Sequence, residues 1–192
     1  MSRITVKKKQ DIFIRPAFSS ETDKITGLFT LYLSELNQFD KDLPDTNRGK
    51  HRLAKEKVIS FGESNYAIIY AILLDQLMIG FFVIGVFPRT YSRDDIHIMH
   101  FYIDKDYRHK GYGRKAVQQF IETSDFYHLT DAISMFVLNN SPAIFFWSKV
   151  LEELDYTDLV STGKISLPSS DQNRFGELPK GRFCFWSPLY SF

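Results

Sequence analysis

Apolar residues recur along this chain with two rhythms, and each change of rhythm marks an element. Ile12 to Phe18 reads as a first strand, and Pro16 places it at an edge or a strand end. Ser19 and Ser20 offer helix caps, with Thr22 and Asp23 in the first turn. Ile25, Leu28, Phe29, Tyr32, Leu36 and Phe39 then follow at helical spacing. Asp40 to Gly49 is polar, contains Pro44 and reads as a loop. A second helix, with weaker periodicity, is expected over His51 to Phe61.

Asn65 to Leu74 and Leu77 to Phe87 are rich in Ile, Val, Tyr and Phe, and Asp75-Gln76 separates them at hairpin spacing. Pro88 to Asp94 is a polar loop, and Ile96 to Ile103 is the next strand. Arg114 to Thr123 predicts a helix with Ala116, Val117, Phe120 and Ile121 on its buried face. Ala132 to Leu138 reads as a strand. Asn140 caps a further helix that carries Pro142 in its first turn and runs to about Leu154. A polar stretch, Ser161 to Gly181, leads to a last strand, Arg182 to Trp186. The order is strand, two helices, three strands, helix, strand, helix, strand. It predicts an α/β domain of α+β-like character, with a central, partly antiparallel mixed sheet, and not a doubly wound fold.

The 192 residues suit a single domain with one substantial core. That core spans about 12–156, with 157–192 completing the sheet. Lys and Arg number 24 against 23 Asp and Glu, so the basic excess expected of a nucleic-acid binder is missing. One cysteine, Cys184, excludes an internal disulfide framework and a cysteine-built zinc site, and no metal is expected. The first residues are mostly polar or charged, unlike a signal peptide. The apolar runs at Ala67–Leu74 and Met78–Phe87 are too short to span a membrane as helices, so a cytoplasmic protein is expected.

The chemistry concentrates in Arg108-His109-Lys110-Gly111-Tyr112-Gly113, between a strand and a helix. Two glycines let the backbone turn and let a ligand approach. Amides at a helix start, with the helix dipole, attract an anion. Arg108, Lys110, Arg114 and Lys115 add positive charge around the same loop. The same Gly-x-Gly after a strand is also an ordinary tight turn. No Gly-Lys-Ser/Thr follows, which excludes a P-loop. Ala116 stands where a dinucleotide fingerprint would place its third glycine, and Asp131 precedes a strand instead of ending one, so that pattern is disfavoured.

With these motifs in place, the chain resembles the GNAT superfamily of N-acetyltransferases. Arg108 to Gly113 fits the family's Gln/Arg-x-x-Gly-x-Gly/Ala loop, and the strand ending in Ile103-Asp104-Lys105-Asp106-Tyr107 fits its approach. Asn140-Ser141-Pro142-Ala143-Ile144-Phe145-Phe146-Trp147 fits Asn-x-x-Ala-x-x-Phe-Tyr. The resemblance implies a central, mostly antiparallel, twisted sheet flanked by helices, with acetyl-CoA as co-substrate. It implies that backbone groups of Phe101, Tyr102 and Ile103 lie beside the pantetheine arm, those of Phe101 and Ile103 pairing with it as an added strand would. The loop Arg108, His109, Lys110, Gly111, Tyr112, Gly113 and Arg114 would hold the pyrophosphate, with Asn140, Ala143, Phe146 and Trp147 near the cofactor. Asn140 also reads simply as a helix cap.

Acyl transfer from a thioester to an amine needs a proton acceptor, a donor for the carbonyl oxygen and a departing thiolate. A backbone amide near Phe101 to Ile103 suits the carbonyl oxygen. Histone-acetylating members of the family carry a Glu eleven positions before the loop motif, where this chain has His97. An imidazole suits proton removal near neutral pH, and an inert strand histidine is the alternative. Strict alternation puts His100 on the opposite face unless a bulge intervenes; Asp94 and Asp95 are weaker candidates. Trp147 replaces the family's Tyr, and an indole N–H is no useful acid. The thiolate then leaves unaided, or Tyr102 or Tyr156 reaches the sulfur. The acceptor groove is expected near Tyr32, Glu35, Asp40, Asp42 and Asp45, with Phe39, Tyr91 and Trp186 as candidate walls. The expectation is N-acetyl transfer to a primary amine of a small molecule or peptide, with no nucleic-acid or membrane partner and with a homodimer left open. The alternative is a non-catalytic acyl-CoA-binding module on the same fold.

Overall fold

A computed structural model describes residues 11–40, 42–87, 95–123, 132–138, 142–153, 159–161 and 182–188. Its strands are β1 (Ile12–Pro16), β2 (Ala67–Leu74), β3 (Leu77–Phe87), β4 (Asp95–Ile103), β5 (Ala132–Leu138), β6 (Leu159–Ser161) and β7 (Arg182–Pro188). Its helices are α1 (Thr22–Leu36), α2 (Asn47–Glu63), α3 (Tyr112–Thr123) and α4 (Pro142–Glu153). The strands form one mixed sheet in the order β1-β2-β3-β4-β5-β7-β6. Every neighbouring pair is antiparallel except β4–β5, which is parallel because α3 carries the chain back between them. No helix among the described residues is long and apolar enough to cross a membrane.

β3 explains why its sequence shows no alternation. Phe81, Phe82, Val83 and Ile84 are all fully buried, because the sheet carries helices on both sides. Phe82 and Ile84 pack with Ala116, Val117 and Phe120 of α3 and Trp147 of α4. Phe81 and Val83 pack with Leu28, Phe29 and Leu33 of α1 and Ala54, Val58 and Phe61 of α2. The buried positions of α3 are those its periodicity selects, with Ile121 at the edge of the core.

The first helix carries Thr22 and Asp23 in its first turn, as expected, but stops earlier than its apolar spacing suggests. Ser19–Glu21 is a 3₁₀ turn, and Phe39 is exposed beyond the end of α1. The chain tightens there, with Phe39 and Asp40 both donating their N–H to the Leu36 carbonyl. α2 starts four residues before the expected His51, because the Thr46 hydroxyl accepts from the Gly49 N–H and caps it. β6, at the border of a polar stretch, is too short for its alternation to show.

A local ion pair seals the first turn. Arg15 holds Glu21 with two hydrogen bonds of 2.8 Å, and Glu21 also accepts from the Phe18 N–H at 2.9 Å. The Arg15 hydrogen bond pulls the Glu21 carboxyl down to about 2. A carboxyl depressed on folding contributes stability at pH above its unfolded value near 4.3, and that contribution disappears as pH falls toward 2. Glu21→Gln should therefore be less stable than the wild type at pH 7 and equal to it near pH 2. Urea unfolding at both values checks this, and an equal deficit at both would refute it.

Candidate active site

β4 and β5 are paired over a short stretch and then part. Their parallel ladder joins Ile96, His97 and Ile98 to Ile133, Ser134 and Met135 and, among the described residues, ends there. β4 nevertheless continues to Ile103, and β5 continues to Leu138 alongside β7. The Asp104 N–H donates to the Ile79 carbonyl at 2.8 Å, while Ile103 stands opposite Gly80. In an antiparallel pair that pattern turns the polar backbone groups of Phe101 and Ile103 away from β3, toward the gap left by β5.

At the Ile103 end of this gap lies the loop 108–113. His109 and Gly111 adopt left-handed φ of 60° and 77°. For Gly111 that costs little, whereas His109 carries a Cβ that disfavours it. The Lys115 N–H donates to the Gly111 carbonyl at 3.1 Å, which opens α3. The amides of Tyr112, Gly113 and Arg114 fall in the first turn, where no helical carbonyl precedes them. Gly113 packs against aromatic rings: a Cβ there would come within 3.1 Å of Phe146 and 3.5 Å of Phe101. These two rings stack with centroids 5.4 Å apart, and Trp147 meets Phe101 edge-on at 5.2 Å. Phe146 and Trp147 are thus brought together with Phe101 and Gly113. Trp147 is a core residue, while Ala143 is exposed on α4. Tyr112 is half-buried against the same core.

The charged residues of the loop are mostly engaged elsewhere. Arg114 pairs with Glu153 at 3.0 Å, and Lys110 donates to the Asp106 carbonyl at 2.8 Å beside the Tyr107 ring. Arg108 reaches back to α1. Its Nη1 and Nη2 meet the two carboxylate oxygens of Glu35 at 2.8 and 2.9 Å, and its Nε–H donates to the Ile103 carbonyl at 2.7 Å.

The histidines are placed by a bulge. Val83 pairs with His100 and Ile84 with Ile98, so Met99 is an extra residue in β4. Ile96, Ile98, Phe101 and Ile103 face the α3–α4 core, while Tyr102 faces α1 and α2. His100 packs edge-on to Phe29 with centroids 5.0 Å apart, and its Nδ1 lies 3.3 Å from the Tyr32 hydroxyl. His100 therefore shares the α1–α2 face with His97 instead of opposing it, which corrects the unbulged expectation. The signal for this was present: apolar residues recur at Ile96 and Ile98, then after a step of three at Phe101 and Ile103.

His97 is 5% exposed, and burial pushes its imidazole down to about 4. It is neutral at pH 7 and a weak base. Burial, together with the neighbouring Glu35 carboxylate that accepts its hydrogen bond at 3.1 Å, holds the Tyr102 hydroxyl above the ordinary phenol range. The Tyr102 ring packs with the α1–α2 core, on the face opposite Phe101 and Trp147. Asn140, Tyr156, Tyr91 and Asp94 lie outside the described residues.

Residues 28–151 match a sequence model described as the acetyltransferase (GNAT) family. None of the curated proteins matches the chain. Among solved structures, an acetyltransferase from Thermus thermophilus superposes with a TM-score of 0.61 at 14% identity, covering 93% of this chain and 97% of that one. The PaiA N-acetyltransferase from Thermoplasma acidophilum, in complex with coenzyme A, gives 0.62 at 11% identity, with 93% and 99% covered. The ribosomal-protein-S5-alanine acetyltransferase from Vibrio fischeri gives 0.59 at 15% identity, with 95% of each chain covered. At these identities the likeness is one of fold.

Proposed function

Because the chain belongs to the GNAT acetyltransferase family, we propose that it moves an acetyl group from acetyl-CoA to a primary amine of a small molecule or peptide. The observation that carries this reading is the gap between β4 and β5, which opens directly beside the amides at the start of α3. The residues present suit acetyl-CoA. Gly111 to Arg114 offer backbone donors for a pyrophosphate, reinforced by the helix dipole. Phe101 and Ile103 offer the edge of a strand to an extended pantetheine arm.

The diverging strands leave the sheet open between its two faces, so an amine on the α1–α2 side can meet a thioester held in the gap. The amine nitrogen attacks the thioester carbonyl, the C–N bond forms and the C–S bond breaks. The Phe101 amide, turned toward the gap, is our donor to the carbonyl oxygen. Of the two imidazoles on the acceptor face, His100 suits proton removal better, because it is only partly buried and lies beside the Tyr32 hydroxyl. Buried His97 holds a proton too weakly for that work at pH 7. Neither Trp147 nor Tyr102 suits the acid role, so coenzyme A departs as the thiolate and takes its proton from solvent or from Tyr156.

Thiol release from acetyl-CoA, followed with a panel of primary amines, tests the reading. Turnover with at least one amine is expected, and His100→Ala should lower kcat by about 100-fold at unchanged acetyl-CoA affinity. His97→Ala should have the smaller effect on kcat. Tight acetyl-CoA binding without turnover on any amine would instead make the chain an acyl-CoA-binding module.

A further inference from the structure

We propose that Glu35 is a positioning residue for the anion-binding loop, acting from α1 through Arg108. This inference rests on the acetyl-CoA reading and concerns a part of the site that the reading leaves unassigned.

Arg108 is the first residue of the loop, immediately before His109 with its left-handed φ of 60°. Its guanidinium ties three elements together. Two nitrogens grip both oxygens of Glu35 on α1, at 2.8 and 2.9 Å, in the bidentate geometry that fixes direction as well as distance. The third, Nε, closes onto the Ile103 carbonyl of β4 at 2.7 Å. The Tyr102 ring lies 5.1 Å beneath the guanidinium, and its hydroxyl donates to the same Glu35 oxygen at 3.1 Å. Glu35 stands in the last turn of α1, where the helix dipole disfavours a carboxylate. Its position is explained by Arg108 and not by the helix.

Two consequences follow for the donor site. The Arg108 side chain is committed to α1 and β4, so the anion is left to the backbone amides and their geometry. The carbonyl of Ile103, turned toward the gap, is already satisfied, which leaves the Ile103 N–H as the polar group offered there. Loosening Glu35 releases the start of the loop and that carbonyl together. Glu35 thereby joins the acceptor-side helix to the donor loop.

The alternative role for Arg108, direct contact with phosphate, predicts the opposite sign. If Glu35 merely competes for Arg108, then Glu35→Gln frees a cation and acetyl-CoA binds as tightly or more tightly. If Glu35 positions the loop, the same variant binds acetyl-CoA about tenfold more weakly. In an Arg108→Gln background, Glu35→Gln then adds nothing further, because its route is gone. Calorimetric titration of acetyl-CoA into the four proteins of this cycle reads both results, with melting temperatures confirming that each is folded. Arg108→Lys supplies a second arm: it keeps a cation opposite Glu35 but cannot span both Glu35 and the Ile103 carbonyl, and it should bind about as weakly as Glu35→Gln. Unchanged or tighter binding in Glu35→Gln overturns the proposal. So does an equal loss in the Arg108→Gln background, or wild-type affinity in Arg108→Lys. A wild-type protein that fails to bind acetyl-CoA defeats the underlying reading first, and the positioning role with it.

Discussion

Gly113→Val is expected to weaken acetyl-CoA binding by about 100-fold, the largest loss of affinity predicted for a single site. The residue sits in the first turn of α3, where amides stand without helical partners. A Cβ at this position meets the Phe146 ring at 3.1 Å, closer than ordinary packing, and the stacked Phe101 ring lies behind it. The two γ-methyls of valine crowd the space beside the amides and push Phe146 off Phe101. A hydrogen bond to a charged group contributes roughly 1.5–3 kcal/mol, so losing one or two of them amounts to about 3 kcal/mol, or two decades in affinity. The overpacking itself costs stability on the order of 1–3 kcal/mol. Gly113→Ala, with only the Cβ, should fall between valine and wild type. Acetyl-CoA calorimetry on the folded variants decides the matter, and wild-type affinity in Gly113→Val would sink the assignment of the loop. Gly111 differs in kind: no atom crowds it, and its requirement is the left-handed φ of 77°.

Gly80→Ala is expected to be the most destabilising of the substitutions considered, at about 3 kcal/mol or more. A Cβ at Gly80 would collide with the Tyr102 carbonyl oxygen and lie within 3.2 Å of the Ile103 Cα. Both obstacles belong to the β4 backbone, which cannot swing aside as a side-chain end does. β3 is buried on both faces, so the strand has no open side toward which to move. The close approach also holds Ile103 at the margin of the gap, and a surviving Gly80→Ala protein should bind acetyl-CoA less tightly. Gly27→Ala is the control. Gly27 lies in α1 with open space around it, and alanine there should stabilise by about 0.5–1 kcal/mol. Urea unfolding of the two variants should give shifts of opposite sign; a similar shift in both would mean that the contact at Gly80 does not matter.

Much of the architecture was legible because periodicity reports locally which side chains must be covered. The buried face of α3, the β2–β3 hairpin around Asp75 and the glycine loop before α3 all follow from spacing and turn chemistry. Helix ends were less legible. The Thr46 cap draws α2 back into a stretch that reads as loop, and the backbone bonds to Leu36 end α1 before Phe39. In β4 nearly every position is apolar or aromatic, so a period of two has little polar contrast to show itself against. The extra residue Met99 consequently reversed the assignment of His100.

By itself, the sequence determined the order of the helices and of every strand but β6, the mixed α/β class and the placement of Arg108 to Gly113 between a strand and a helix. Each depends on neighbours within a few turns of chain. Only the tertiary structure decided where β4 parts from β5, which face His100 occupies and where Arg108 points. Strand divergence depends on register between separate segments, and no local rhythm encodes it. The partner of Arg108, Glu35, is 73 residues away in the chain. That ion pair exists because the packed sheet brings the end of α1 to the start of the loop.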